Sequence, residues 1–159
     1  MNRLRPVFFC QPSMALLIGC LFILGAMNLP AAKAPLGQKQ LQAQAELIVT
    51  GRVIAVKSKV QKSRVERAFG IHRDKVFTLT IKVALLSKGT GLKVDQEIRV
   101  VAWRPSVRIP PHPGLQGHDS IPGKGDIVTV YLKWNKAGKV WEPILPNGIE
   151  INTEAKRSS

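Results

Sequence analysis

Val76-Phe77-Thr78-Leu79-Thr80-Ile81-Lys82-Val83-Ala84-Leu85-Leu86 sets apolar side chains at alternate positions, with Phe77, Leu79, Ile81, Val83 and Leu85 on one face and Thr78, Thr80 and Lys82 on the other. Side chains of an extended chain point alternately to opposite sides, so a period of two predicts a strand with one buried and one wet face. A turn cluster, Ser87-Lys88-Gly89-Thr90-Gly91, ends it. The same pattern recurs outward in both directions. Glu46–Val56 alternates with Gly51 in its middle, which predicts a bulge or sharp bend. Glu97–Trp103, Asp126–Trp134 and Lys139–Leu145 give three more strands, and Pro143 restricts the last to an edge or bulge position. Five strands in roughly a hundred residues, with no helix long enough for a crossover, predict a mainly β domain. The expected form is a small five-stranded antiparallel OB-like barrel over 46–151. Residues 35–45 form a polar linker with room for a short helix, and the polar residues 152–159 form a disordered tail.

Residues 1–34 have a different character. Arg3 and Arg5 precede an apolar run, Met14–Met27, and the small-residue segment Pro30–Ala34 closes it, which is the order of a secretory signal peptide. The run is shorter than the roughly 20 residues a spanning helix needs. An uncleaved membrane anchor is the first alternative, and acylation at Cys20 after Leu17-Ile18-Gly19 is the second. The expected address is outside the cytoplasm: periplasmic, extracellular or membrane-anchored.

Both cysteines, Cys10 and Cys20, fall in this leader, so the remaining domain has neither a disulfide nor a thiolate for chemistry. The leader also holds Arg3, Arg5 and Lys33 and no acid, which leaves 21 of the 24 basic residues and all 10 acids beyond it. Such a charge favours polyanions through long-range, salt-sensitive attraction. Export disfavours nucleic acid as the partner and leaves a protein, an anionic polymer or a lipid surface.

The most basic stretch is 57–75, which carries Lys57, Lys59, Lys62, Arg64, Arg67, Arg73 and Lys75 against Glu66 and Asp74. It reads as a solvated hairpin loop with charged strand ends, whose Phe69-Gly70-Ile71 island tucks back on the core, or as a polyanion-facing surface. Candidate binding residues are Lys57, Lys59, Lys62, Arg64, Arg67 and Arg73, together with Arg104 and Arg108. Trp103, Trp134 and Trp141 sit at expected strand ends, where an indole either caps the rim of a barrel or stacks on a sugar or base.

The segment 105–125 (PSVRIPPHPGLQGHDSIPGKG) has five prolines and is too long for a plain hairpin, and loops of this length tend to be functional or mobile. His112, His118 and Asp119 are its weak metal-ligand candidates, since neutral imidazole and carboxylate both suit zinc, though their spacing matches no standard ligand pair. Asp119 and Ser120 beside His118 have the residue types of a hydrolase triad without a Gly-x-Ser-x-Gly elbow. Gly123-Lys124-Gly125-Asp126 lacks the full phosphate-loop pattern and reads as a turn launching the strand at Ile127. No catalytic residue is assigned, and no cofactor motif is present.

Ala43–Val56 (AQAELIVTGRVIAV) resembles the first strand of the tissue-inhibitor-of-metalloproteinases-like (netrin-like) domains, in which a short helix leads into an Ala-Asp-x-Val-x-x-Gly-x-Val strand. Glu46 stands where that family often has Asp. The resemblance implies an OB-type barrel and a binding rather than catalytic role. It does not carry over the family's inhibitory chemistry, which uses an N-terminal cysteine that this domain lacks. The reading is therefore an exported, non-catalytic binding module for a macromolecular, anionic partner. A small metal-dependent or hydrolytic enzyme using the 105–125 loop and a structural envelope accessory protein are the alternatives.

Overall fold

The computed structural model describes residues 33–65, 67, 69–111 and 117–152. The leader expected over 1–34 therefore lies almost wholly outside the described residues, as does the tail from 153 onward. Among the described residues no helix is long and apolar enough to cross a membrane. One short helix, α1 (Gln38–Gln44), precedes six strands: β1 (Leu47–Lys62), β2 (Ile71–Lys88), β3 (Glu97–Ile109), β4 (Ile127–Asn135), β5 (Val140–Pro143) and β6 (Ile149–Ile151). The chain is mainly β, as the alternation predicts.

Strands β1, β2 and β3 form an antiparallel meander, and β1 also pairs with β4 over Leu47–Arg52. With β5 lying between β3 and β4, the order β1-β2-β3-β5-β4 returns to β1 and closes a ring of five strands. One contact departs from the expected antiparallel scheme. Strands β3 and β5 run parallel and meet at a single pair, Val100 and Trp141. A short sixth strand, β6, pairs with β4 over Val128–Val130.

Ring closure requires β1 to coil, and the sequence supplies the means. Register shifts occur at Ile48/Val49, Thr50/Gly51 and Val53/Ala55. Each extra residue bends the strand and increases its twist. At Gly51 a Cβ would lie 2.2 Å from the Lys82 carbonyl oxygen, so the two backbones approach as only glycine permits. The shift from Thr50–Leu85 to Gly51–Val83 leaves Ala84 as the bulged residue of β2 and inverts the parity beyond it. Leu85, expected in the core, is consequently exposed, and Leu86 packs inward instead.

Inside the ring Val49, Val53, Leu79, Ile81, Val100, Val128, Val130 and Leu132 are fully buried. Each such side chain contributes about 1.5–3 kcal/mol relative to exposure. Outside it, α1 lays Leu41 and Ala45 over Ile48 and Tyr131, which are cross-strand partners on the opposite face. The helix thus explains why β1 and β4 are apolar on both sides here.

The expected loop boundaries need correction. Much of 57–75 is strand, because β1 runs to Lys62 and β2 begins at Ile71. Phe69 does not tuck back on the core, being 97% exposed. Strand β3 also runs past Trp103, through Pro105, to Ile109, with a register shift beside the proline that absorbs its missing donor. Asn152 is not frayed, since its N–H donates to the Ile127 carbonyl at 2.8 Å.

Gly51→Ala should destabilise the domain by about 1–3 kcal/mol through forced backbone displacement. Gly37→Ala, where a Cβ meets nothing closer than 3.9 Å, should change stability far less. Urea denaturation midpoints check the pair.

Candidate functional site

Beyond Arg52 β1 leaves β4, while β2 and β3 continue beside it. The three strands extend as a ribbon with both faces outside the ring. Register fixes which residues share a face. On the outer face Lys57, Thr78 and Val101 form one cross-strand row, and Lys59, Val76 and Trp103 form the next. Gln61 and Asp74 lie beyond them.

This outer face is the floor of a cleft of about 320 Å³. Arg64 and Val65 of the β1–β2 turn border it at one end. Asn135 and Gly138 of the β4–β5 turn, with Val140 and Glu142 of β5, border the other. Trp103 and Val76 give it an apolar patch, and Lys59 and Arg64 bring positive charge. Both acids in the cleft are engaged. The Glu142 carboxylate accepts from Asn135 Nδ2 at 2.8 Å, and the Asp74 carboxylate pairs with the Arg108 guanidinium.

The eight basic residues singled out from the sequence do not form one surface. Lys57 and Lys59 sit on the outer face, whereas Lys62 and Arg73 are cross-strand partners on the opposite face. Arg64 and Arg67 belong to the turn between β1 and β2. Arg104 and Arg108 are tied into the structure. Arg104 Nε donates to the His118 carbonyl at 2.7 Å and its Nη2 to that of Asp119. Arg108 Nη1 donates to the Arg73 carbonyl at 2.7 Å while its Nη2 pairs with buried Asp74. Removing one partner of a buried pair leaves an uncompensated charge, which typically costs about 3–5 kcal/mol.

His118 is buried at the seam where β3 and β5 barely touch. Its Nδ1 lies 3.2 Å from the Trp103 N–H nitrogen and its Nε2 lies 3.0 Å from the Pro143 carbonyl oxygen. A neutral ring with its proton on Nε2 satisfies both. The His118 N–H donates to the Trp103 carbonyl at 2.9 Å, so one residue pins the loop to both strands. Burial holds its pKa below the ordinary histidine value, against the raising effect of the Pro143 and Trp103 contacts. Asp119 is exposed, and its N–H donates to the Pro146 carbonyl. His112 lies outside the described residues. His72, at the far end of β2, is buried away from His118. Among the described residues no group of three or more His, Asp and Glu side chains converges as a metal site would require. Gly123–Asp126 forms the expected turn, with the Gly123 N–H donating to Asp126 Oδ2 at 2.8 Å.

Trp134 and Trp141 are cross-strand partners in an edge-to-face contact, their ring centroids 5.2 Å apart. Trp103 differs from both, because the continuation of β3 places it mid-strand in the cleft. Sequence reasoning missed Gln61, Asn135 and Glu142 as cleft residues. Their only signal was the turn at Asn135–Gly138, since facing them requires knowing that β5 lies beside β3. No known protein family, curated protein or solved structure matches the chain.

The folded-state pKa of His118 lies below its unfolded value, so the unfolded chain binds more protons in mild acid. Stability from this group should be complete above about pH 6.5 and decline as pH falls toward the lower folded-state value. His118→Gln should flatten that slope between neutral and mildly acidic pH while lowering stability overall, as pH-resolved denaturation can show. Arg108→Ala should cost about 3–5 kcal/mol, and Asp74→Asn with Arg108→Ala less than Arg108→Ala alone. A double-mutant cycle in urea measures the difference.

Proposed function

We propose that this chain is an exported, OB-like binding module whose outer-face cleft receives an extended anionic polymer, of which an acidic polysaccharide is the class favoured by its chemistry. The observation that carries the reading is the position of the cleft. In OB-type barrels the face of the second and third strands, flanked by the loops joining strands one to two and four to five, receives oligonucleotides and oligosaccharides. Here the cleft includes the outer face of β2 and β3, with residues of β1 and β5 beside them, and is bordered by those same two connections. The ring order and the short helix running directly into β1 support the barrel reading and agree with the netrin-like resemblance of Ala43–Val56.

The lining suits sugars better than a purely ionic site would. Trp103 offers an apolar plane for a pyranose face. Gln61, Asn135 and Glu142 offer hydroxyl partners, and Lys59 and Arg64 meet acidic substituents. The secretory pattern of residues 1–34 supports a partner outside the cytoplasm, which favours a polysaccharide over nucleic acid. No step of covalent chemistry is required.

Binding to immobilised heparin should weaken steeply as salt is raised, and neutral dextran should bind poorly. Lys59→Gln with Arg64→Gln should reduce the salt dependence, whereas Trp103→Ala should weaken binding about tenfold at constant salt dependence. Heparin retention that ignores both the salt and the cleft substitutions would sink the proposal.

A further inference from the structure

The far end of the ribbon carries a different surface. Phe69 is 97% exposed, Ile109 58%, Ile71 54%, Val60 51% and Val65 45%. Ile71 and Ile109 are direct cross-strand partners, so their side chains stand together at the last rung of β2 and β3. Burying any of these residues would release about 1.5–3 kcal/mol, which the free protein forgoes. An isolated exposed apolar residue is ordinary, but several gathered on one protruding tip mark a contact surface.

The tip is braced rather than slack. The Ser63 N–H donates to the His72 carbonyl at 2.9 Å and closes the base of the turn. Gly70 has φ +135°, and a Cβ there would lie 2.0 Å from the Ile109 carbonyl oxygen, so the turn rests directly on the end of β3. Phe69, which precedes this glycine in sequence, stands exposed at the same end of the ribbon as the Ile71–Ile109 rung.

Around this apex stand Lys62, Arg64, Arg67 and Arg73, with Lys75 one rung back beside Phe77, its Nζ 5.4 Å from the ring centroid. Two acids occur in 57–75, and one of them, Asp74, is already paired with Arg108. An apolar apex inside a cationic collar matches an anionic bilayer in depth as well as in sign. Aromatic and branched side chains reach the acyl boundary while Lys and Arg stay with the headgroups.

We infer that the β1–β2 turn and the end of β3 form a bilayer-contact tip, in which Phe69, Ile71 and Ile109 enter an anionic lipid surface and Lys62, Arg64, Arg67 and Arg73 bind its headgroups. The contact shares Arg64 with the polysaccharide cleft, but its apolar apex, Phe69, Ile71 and Ile109, lies outside the cleft lining, and it stands whether or not that reading holds.

The full-length chain carrying Phe69→Trp tests it directly, with the unsubstituted chain as the baseline for the three native tryptophans. Vesicles of phosphatidylcholine with brominated phosphatidylglycerol should blue-shift and quench the emission of the introduced indole, and pure phosphatidylcholine vesicles should not. Adding Arg67→Gln and Arg73→Gln should raise the phosphatidylglycerol needed for half-maximal quenching about tenfold or more. An indole that keeps its water-exposed emission on the anionic vesicles overturns the inference, as does Phe69-dependent dimerisation without vesicles, which would assign the tip to a second copy of the chain. Because residue 69 is almost fully exposed, Phe69→Ser leaves no cavity, and heparin binding by that variant should be unchanged. Failure of the unsubstituted chain to bind heparin, with quenching of the Phe69→Trp indole intact, would refute only the cleft.

Discussion

Everything outside the ring depends on the pairing of β1 with β4 over Leu47–Arg52. From Ile48 to Arg52 β1 is paired on both edges, with β2 and with β4, and the segment contributes Leu47 and Val49 to the interior. Gly51 lets β2 approach closely enough for the coil. The pairing ends at Arg52, where the main chain next meets the Gly125–Asp126 turn through bonds of 2.7 and 2.9 Å at Val53. That turn seals the ring and releases β1. The cleft and the tip both exist because β1, β2 and β3 continue after β4 has gone.

This division sets the chemistry of the two regions. Inside the ring, alternation has a core to answer to, and Val128, Val130 and Leu132 of β4 all point into it. In the ribbon no apolar core enforces alternation, and Lys57, Lys59, Lys62, Arg73 and Lys75 stand exposed at their strand positions. Lys57, Lys59 and Lys62 also lie on β1, whose second edge has no strand partner there among the described residues, and charge at such an edge discourages pairing with another chain. Edge protection and polyanion attraction are compatible uses of the same side chains. The placement of Trp103 among them is what edge protection does not explain.

Legibility in the sequence followed the same boundary. Val76–Val83, Glu97–Trp103 and Ile127–Trp134 were readable because each is locally periodic over a buried face. Gly51 was readable as an irregularity because glycine in a strand has few other reasons to be there. Leu85 was not, since its parity depends on a bulge at Ala84 that is visible only in the pairing with β1. The strand character of 57–62 and 71–75 was hidden by charge, which reads as loop when no core enforces alternation. The cleft was illegible for another reason. Lys59, Trp103 and Glu142 meet only through β1–β2–β3 register and the parallel neighbour β5, and local sequence encodes neither. His118 looked like a chemical group because histidine is rare, whereas its partner Pro143 lies 25 residues away.

The ring closure also bears on how the chain acquires its shape. Thr50 and Thr129, whose hydroxyls meet at 3.0 Å across β1 and β4, are 79 positions apart in sequence. The β1–β2–β3 meander joins neighbours through short connections and can assemble by itself, but the interior stays open until β4 arrives. Contacts between distant positions demand that chain entropy be surrendered before any bond rewards it, and they slow folding accordingly. With no cysteine among the described residues, closure of the ring rests on non-covalent pairing between these distant strands. Until it occurs, an apolar face of three strands is left uncovered, the kind of transiently exposed surface that favours aggregation during folding.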